Sequence, residues 1–449
     1  MTIKNLSIFL FAILICVQCF AQEENSEFKY RRSSLHTMMV QNPTIVLADD
    51  SNLPIAKITR KSFTDSPFPS KYDNHDISTP GISYKYLTLI ESEEEDNEKK
   101  SEKTIGPNGK SINKKDSKNI EQIQNYLKQN KIANKMVAKW FNQKPDGLMD
   151  QELIIERGWN NATEADVAKL SMLEVGLTAQ FENAGLELIG NTFIVVNQYK
   201  FVDNEFVARP VYEAAVLTAN EIENPTAKNL ALKAAEKLYQ KAQGYSIRTK
   251  AYLFKLAWND SIIDPFYDKM YCAKGYKEEE KQQRKELFDK SELFHFEFVG
   301  VEKNTRIITS KLDPEKAISE EQKIQQATTR AIDQTYALLQ KEYDVFKPLS
   351  QLVFGEKAKN CSAKIGTKEG LEGGEKFDVL KPSFNSKTGR SEFKTVGTIK
   401  VDKKNVWDNQ YYVGEGPTLE GDEVAIQATK FKGCKGSYTN FFAFIRQTK

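Results

Sequence analysis

Histidine is scarce in this chain. Only His36, His75 and His295 occur in 449 residues. No H-E-x-x-H zinc helix and no G-x-S-x-G nucleophile elbow can be found, and no paired C-x-x-C motif occurs, which excludes a zinc ribbon. Neither sign of charge dominates: 64 basic residues stand against 62 acidic ones, for a net charge of +2. A nucleic-acid binder would carry a basic patch or stripe, so nucleic acid is not an expected partner. After the first 21 residues no apolar run approaches the roughly 20 residues that span a bilayer, so no transmembrane helix is expected.

What is present begins at the N-terminus. Lys4 is followed by an apolar run from Leu6 to Val17, then Cys19-Phe20-Ala21 and polar Gln22-Glu23-Glu24. This is the charged, apolar, small-residue order of a secretory signal peptide. Ala21 fills the small position before the cut, so cleavage is expected between Ala21 and Gln22. Ile15 and Gln18 precede the two early cysteines, and neither is the small residue that lipidation requires. Export then leaves Cys272, Cys361 and Cys434. In an oxidising compartment two of them are expected to pair. Cys361 and Cys434 share the glycine-punctuated C-terminal region and are the predicted disulfide. Cys272 is read as a buried thiol.

The chain divides into a signal peptide (1–21), an N-terminal β/loop segment (22–90), a charged flexible linker (91–118), an α/β domain (119–350) and a C-terminal β domain (351–449). A hydrophobic fraction of 40% is enough for real cores, and the length calls for two or three of them. The stretch Arg32 to Val40 alternates like a strand, and Thr44 to Leu47 is a second short run; both are candidates for strands donated to a later sheet. Residues 91–118 open with Glu91-Ser92-Glu93-Glu94-Glu95-Asp96 and continue into lysines, too polar to offset the entropy of ordering. From Ile120 to Trp140 a helical stripe drifts near Asn130. A second stripe runs from Val167 to Phe181. Residues 192–196, 252–258 and 293–301 read as strands, the last with Phe294, Phe296, Phe298 and Gly300 on one face. Residues 226–242, 277–290 and about 315–343 read as helices. The expected fold class is α+β multidomain: a helix-flanked sheet of at least three strands, parallel or not, followed by a small β-barrel or sandwich.

Several short motifs invite chemistry. Gly106-Pro107-Asn108-Gly109-Lys110-Ser111 ends like a phosphate loop, but Thr104 stands where that loop needs its first glycine, and a charged segment precedes it. The expected state is flexible linker. Asp73-Asn74-His75-Asp76 offers oxygen and imidazole ligands but lacks calcium-loop spacing, and reads as a solvated turn. His295 reads as a solvent-facing strand residue. Asp146/Asp150 and Asp260/Asp264 read as turns and caps. Trp159, Trp258 and Trp407 are able to stack on sugars but read as core or rim.

The phrase Gly370-Leu371-Glu372-Gly373-Gly374-Glu375-Lys376-Phe377-Asp378-Val379, with Val396-Gly397-Thr398-Ile399-Lys400-Val401, resembles the small β-barrel modules of envelope-assembly proteins, including flagellar and curli-associated accessory proteins. Ile189 to Val196 resembles the first strand of their α/β domains. The Ala21-Gln22 junction, the Lys/Asn-rich composition, Arg32-Ser33-Ser34-Leu35 and Arg330-Ala331-Ile332-Asp333 resemble an uncharacterised secreted group of the Bacteroidetes. The resemblance implies a cell-envelope setting and no particular activity. The expectation is a non-catalytic exported interaction protein, periplasmic, outer-membrane-associated or extracellular, with an envelope or surface protein or glycan as partner. No catalytic, metal or cofactor residue is assigned. The rival expectations are an extracellular hydrolase working through a carboxylate pair, with the two groups about 5–10 Å apart, and a carbohydrate-binding module.

Overall fold

In the computed structural model, the structure describes residues 30–31, 33–40, 44–46, 54–82, 104–161, 186–242, 244–309, 319–385, 390–409 and 426–448. The signal segment with Ala21 and Gln22, residues 91–103 and the stripe 167–181 lie outside them.

The path starts with strands β1 (Tyr30–Arg31), β2 (Ser34–Val40) and β3 (Thr44–Val46), then helix α1 (Ile55–Asp65) and two short strands, β4 (Asp73–Asn74) and β5 (Gly81–Ile82). A small hairpin, β6 (Thr104–Ile105) with β7 (Ser111–Ile112), leads into α2 (Lys114–Gln129), α3 (Ile132–Trp140) and α4 (Glu152–Asn161). Then come β8 (Thr192–Asp203), α5 (Asn204–Asn220), α6 (Pro225–Ala242) and β9 (Gly244–Leu256). Helices α7 (Asp260–Lys269) and α8 (Glu278–Lys290), strand β10 (Phe296–Thr309) and helix α9 (Glu320–Glu342) complete the first unit.

Its sheet runs β10-β9-β8-β2-β4, with β3 also on β8 and β5 also on β2. The β10/β9 and β9/β8 pairs are antiparallel. The β8/β2 pair is parallel, so the N-terminal strand is stitched into a sheet formed more than 150 residues later, with Leu35 opposite Phe193 and Met39 opposite Asn197. Side chains alternate across this sheet with period two. On β8, Ile194 and Val196 enter one core with Trp140, Phe141, Phe266 and Phe288. Phe193, Val195, Tyr199 and Phe201 enter the other, with Ile324, Ala331 and Leu339 of α9. Helices therefore cover both faces. The drift near Asn130 is a real break: Lys131 turns left-handed at φ 52° between α2 and α3.

One face assignment needs correction. A bulge between Phe298 and Gly300 flips the parity of β10. Gly300 then points away from Phe296 and Phe298, toward Tyr343. A Cβ there would lie 2.1 Å from the Tyr343 ring, so this close approach requires glycine.

The second unit contains β11 (Leu349–Gln351), β12 (Val353–Phe354), β13 (Cys361–Ala363), β14 (Lys376–Asn385), β15 (Arg390–Val401), β16 (Thr429–Lys432) and β17 (Phe444–Gln447). Its sheet runs β1-β11-β17-β14-β15-β16-β13-β12, and its pairings are antiparallel. Only Leu352 separates β11 from β12, and its N–H donates to the Ala443 carbonyl at 2.8 Å. One bent segment thus borders both ends of the sheet and nearly closes it into a barrel around Val379, Ile399, Phe431 and Ile445. Cys361 and Cys434 are joined as a disulfide on this barrel, with Cα atoms 6.3 Å apart. The protein is an α+β multidomain fold with a helix-flanked mixed sheet and a small barrel-like sheet.

Candidate functional site

The helical connection between β8 and β9 departs most from the rest of the molecule. Strands β8 and β9 pair antiparallel out to Asp203 opposite Tyr245. The intervening helices therefore do not cross over the sheet; α5 and α6 form a hairpin at the end of a β-hairpin. Local sequence explains each part. Asp203 caps α5 by accepting from the Glu205 N–H at 2.9 Å. Asn224 caps α6 through the Thr226 and Ala227 N–H groups, and Pro225 takes the first turn, where its missing donor costs nothing. Between the helices, Tyr212 stacks on Tyr239 with centroids 4.6 Å apart. The Tyr239 hydroxyl and Arg209 both donate to Glu205, at 2.5 and 2.7 Å. Ala219 and Ala235 are the buried side chains of the pair, small enough to bring the backbones close.

The rest of the hairpin is open. Phe206, Val207, Val211, Leu217, Leu230 and Leu238 are each between 54% and 71% exposed. Among the described residues, these are six of the eleven large apolar side chains that stand in solvent, and they fall within one 39-residue element. A groove of about 680 Å³ runs along the hairpin and the sheet end below it. Val207, Ala208, Val211 and Ala215 form one wall, and Ala235, Leu238 and Ala242 the other, with Lys241 and Arg248 also lining it. Lone exposed apolar residues are ordinary, but Val207, Val211 and Leu238 line this groove together, and a grouped set marks a contact surface. Covering what remains exposed of each such side chain would contribute roughly 1–2 kcal/mol.

The chemical motifs of the sequence resolve differently. His75 does not lie in a solvated turn: it is fully buried. Strand β4 pairs along the edge of β2, which draws the following residue under α3 and α4. Its Nε2 donates to the Met136 carbonyl at 2.9 Å, leaving Nδ1 to accept from Arg157 Nη1 at 2.9 Å. The same Nη1 donates to Ser34 Oγ at 2.5 Å, and Nη2 to the Asn74 carbonyl at 3.2 Å. The guanidinium lies 4.5 Å from the Trp140 ring centroid. Burial, reinforced by the Arg157 charge, holds the His75 imidazole well below its ordinary pKa. This knot ties four elements together and takes up its donors and acceptors internally.

His36 is buried on β2, donating Nε2–H to the Thr79 carbonyl at 3.1 Å, with Asp76 3.4 Å from Nδ1. It borders a crevice of about 220 Å³ with Thr37, Phe68 and Tyr336. His295 is exposed. Asp146 accepts from the Leu148 N–H, and Asp150 from the Glu152 N–H and Asn142, a turn and a cap. Asp260 opens α7 behind its cap, Asn259. Trp258 packs on Phe141 and Phe266. Trp407 bridges Gly366 through its backbone. Cys272 is a buried free thiol, and burial pushes its pKa up.

The Gly106–Ser111 segment forms the turn of the β6–β7 hairpin. The Gly106 N–H donates to the Lys110 carbonyl at 2.8 Å, and Gly109 takes φ +77°. Lys110 binds Glu302 and Glu342 at 2.8 and 2.9 Å, which pins the hairpin to β10 and α9. Residues 114–118 are already helix. Among the described residues, no group of three or more His, Cys, Asp or Glu side chains is placed to hold a metal ion. No helix among them is long and apolar enough to cross a membrane. Comparison of the chain with models of protein families and with curated proteins gave no match.

Proposed function

We propose that this is an exported protein that acts by association rather than catalysis, and that the α5–α6 hairpin is the surface through which it associates. The observation that carries the reading is the concentration of solvent-exposed apolar side chains on this hairpin. Two helices of 17 and 18 residues stand here with one buried side chain each. Most helical stability in proteins comes from packing an apolar face, and a second surface would cover the apolar side chains that this hairpin leaves open. Export is supported by the order of charged, apolar and small residues through Ala21 and by the Cys361–Cys434 pair, a bond that persists in oxidising compartments. Mass spectrometry of the mature chain should find Gln22 at its start; an intact Met1 would contradict export.

The association is tested on native complexes from gently lysed cells. Wild-type protein should migrate above the mass of one chain. A variant carrying Val211→Glu and Leu238→Glu should keep the far-UV circular dichroism and melting temperature of the wild type, because both side chains are exposed, yet migrate as a single chain. Complexes of unchanged size from the double variant would sink the reading.

A further inference from the structure

We infer that the groove of the α5–α6 hairpin takes the apolar chain of an anionic amphiphile, one molecule per protein chain, with its head at the sheet end. The inference goes beyond association through the hairpin. Phe206, Leu217 and Leu230 lie outside the groove and stay open to a partner while it is filled. Charge selects the sign of the head. Lys241 and Arg248 line the groove, and among the described residues no aspartate or glutamate does. Lys200 stands opposite Arg248 in the β8/β9 register. Directly opposed residues share a face of the sheet, so a third cation adds to the positive field there. The carboxylates at the base of α5 are already engaged: Asp203 accepts from the Glu205 N–H, and Glu205 accepts from Arg209 and Tyr239.

The placement of the polar groups selects an amphiphile. Helix α5 starts and α6 ends at the sheet, so Asn204, Lys241, Ser246 and Arg248 gather at that end of the groove. Toward the tip the walls are Val207, Val211, Ala215, Ala235 and Leu238. A partner helix would call for polar contacts along both rims. A groove charged at one end and apolar beyond it matches a molecule with one charged end. From Asn204 to Ala215 the groove follows about 16 Å of α5, the reach of a medium-length acyl chain. Its volume of about 680 Å³ lies within the range of about 300–1,000 Å³ for ligand pockets, which combine apolar walls with a few polar groups. The hairpin tip favours a dispersed molecule over a bilayer. Glu221 and Glu223 are exposed there, so tip-first insertion into a lipid surface would desolvate two carboxylates.

Isothermal titration calorimetry of the purified mature chain tests this, with laurate below its micelle concentration as the probe. Laurate should bind with a stoichiometry of one per chain. Octanoate, four methylenes shorter, should bind at least about tenfold more weakly. Dodecyltrimethylammonium, with a similar tail and a cationic head, should also lose at least about tenfold. Lys241→Glu with Arg248→Glu, both exposed positions, should reverse that preference, an outcome that general loss of structure would not produce. Val211→Glu with Leu238→Glu should abolish laurate binding. A wild type that does not bind laurate overturns the inference, as do equal affinities for the two head groups or binding that the hairpin substitutions leave unchanged. If laurate does not bind but phosphatidylglycerol vesicles do, through Val211 and Leu238, a membrane surface replaces the single molecule. If laurate does not bind while native complexes from cells still depend on Val211 and Leu238, the amphiphile falls and association through the hairpin stands. If laurate binds as expected while native complexes are absent, the amphiphile stands and association with a partner falls.

Discussion

A neutral His75 is the condition on which the Arg157 knot closes, because Nδ1 must keep a lone pair to accept from the guanidinium. Burial depresses its pKa, so above pH about 6.5 the imidazole is neutral in both the folded and unfolded chain. As pH falls below that, the unfolded chain takes up a proton that the folded chain refuses, and stability is lost. Asp333 has the opposite slope. Burial pushes its pKa up to about 6 despite Lys368 at 3.5 Å. The folded chain holds this proton from about pH 4 to about pH 6 where the unfolded chain does not. Its contribution is full below about pH 4 and is lost as pH rises through about 6. Melting temperature measured from pH 4 to 7 should therefore fall more steeply on acidification in Asp333→Asn and less steeply in His75→Gln. Parallel profiles for the two variants would refute both assignments. Gly300→Ala forces a methyl into the Tyr343 ring and should cost near the top of the about 1–3 kcal/mol range for overpacking, read by denaturant unfolding. Neither His75 nor Gly300 was legible from its neighbours. His75 sits among polar residues, and its burial follows from β4 pairing with a distant strand. The Gly300 face depends on a bulge that period-two reading does not register.

At the level of elements, α6 was plain from its Ala, Leu and Lys content, and β8 from its apolar run. The direction of β9 was not, because a helical connection permits either a crossover or an extended hairpin. The pairing of Asp203 with Tyr245 decides it. It also means that the sheet does not need α5 and α6. Replacing residues 204–244 with an Asn-Gly turn, which suits a two-residue β-hairpin, should leave a cooperatively folded protein with little change in melting temperature. A chain that unfolds on this deletion would make the hairpin part of the core. The apolar surface on α5 is not legible in the sequence because exposure is a tertiary fact. Val207 and Val211 look like core residues until no core is found opposite them. The contacts of the Gly106–Ser111 turn are hidden for the reverse reason, since the pairing of Lys110 with Glu302 and Glu342 spans about 190 and 230 residues.

Over the whole molecule, the two sheets share the N-terminal strands: β1 pairs with β11 of the barrel, while β2 lies in the helix-flanked sheet. A polar seam backs this connection, with Lys71 3.4 Å from Glu369 and Lys368 3.5 Å from Asp333. The α+β class and the barrel were legible because strand and helix periods differ and glycine turns recur. The joining of the N-terminus to both sheets rests on pairings of very long sequence separation, which no local pattern reports. The Cys361–Cys434 bond closes a 73-residue separation, worth about 4 kcal/mol on the chain-entropy model. Replacing both cysteines with serine should lower barrel stability by that order, measured by chemical denaturation under oxidising conditions; no change would mean that the bond adds nothing to folding. The most direct test of the hairpin as the working surface is a photo-crosslinking residue placed at Val211 in intact cells, with one at Lys285 on α8 as control. We expect a discrete higher-mass adduct from Val211 and none from Lys285. Equal or absent adducts at the two positions would contradict association through the hairpin.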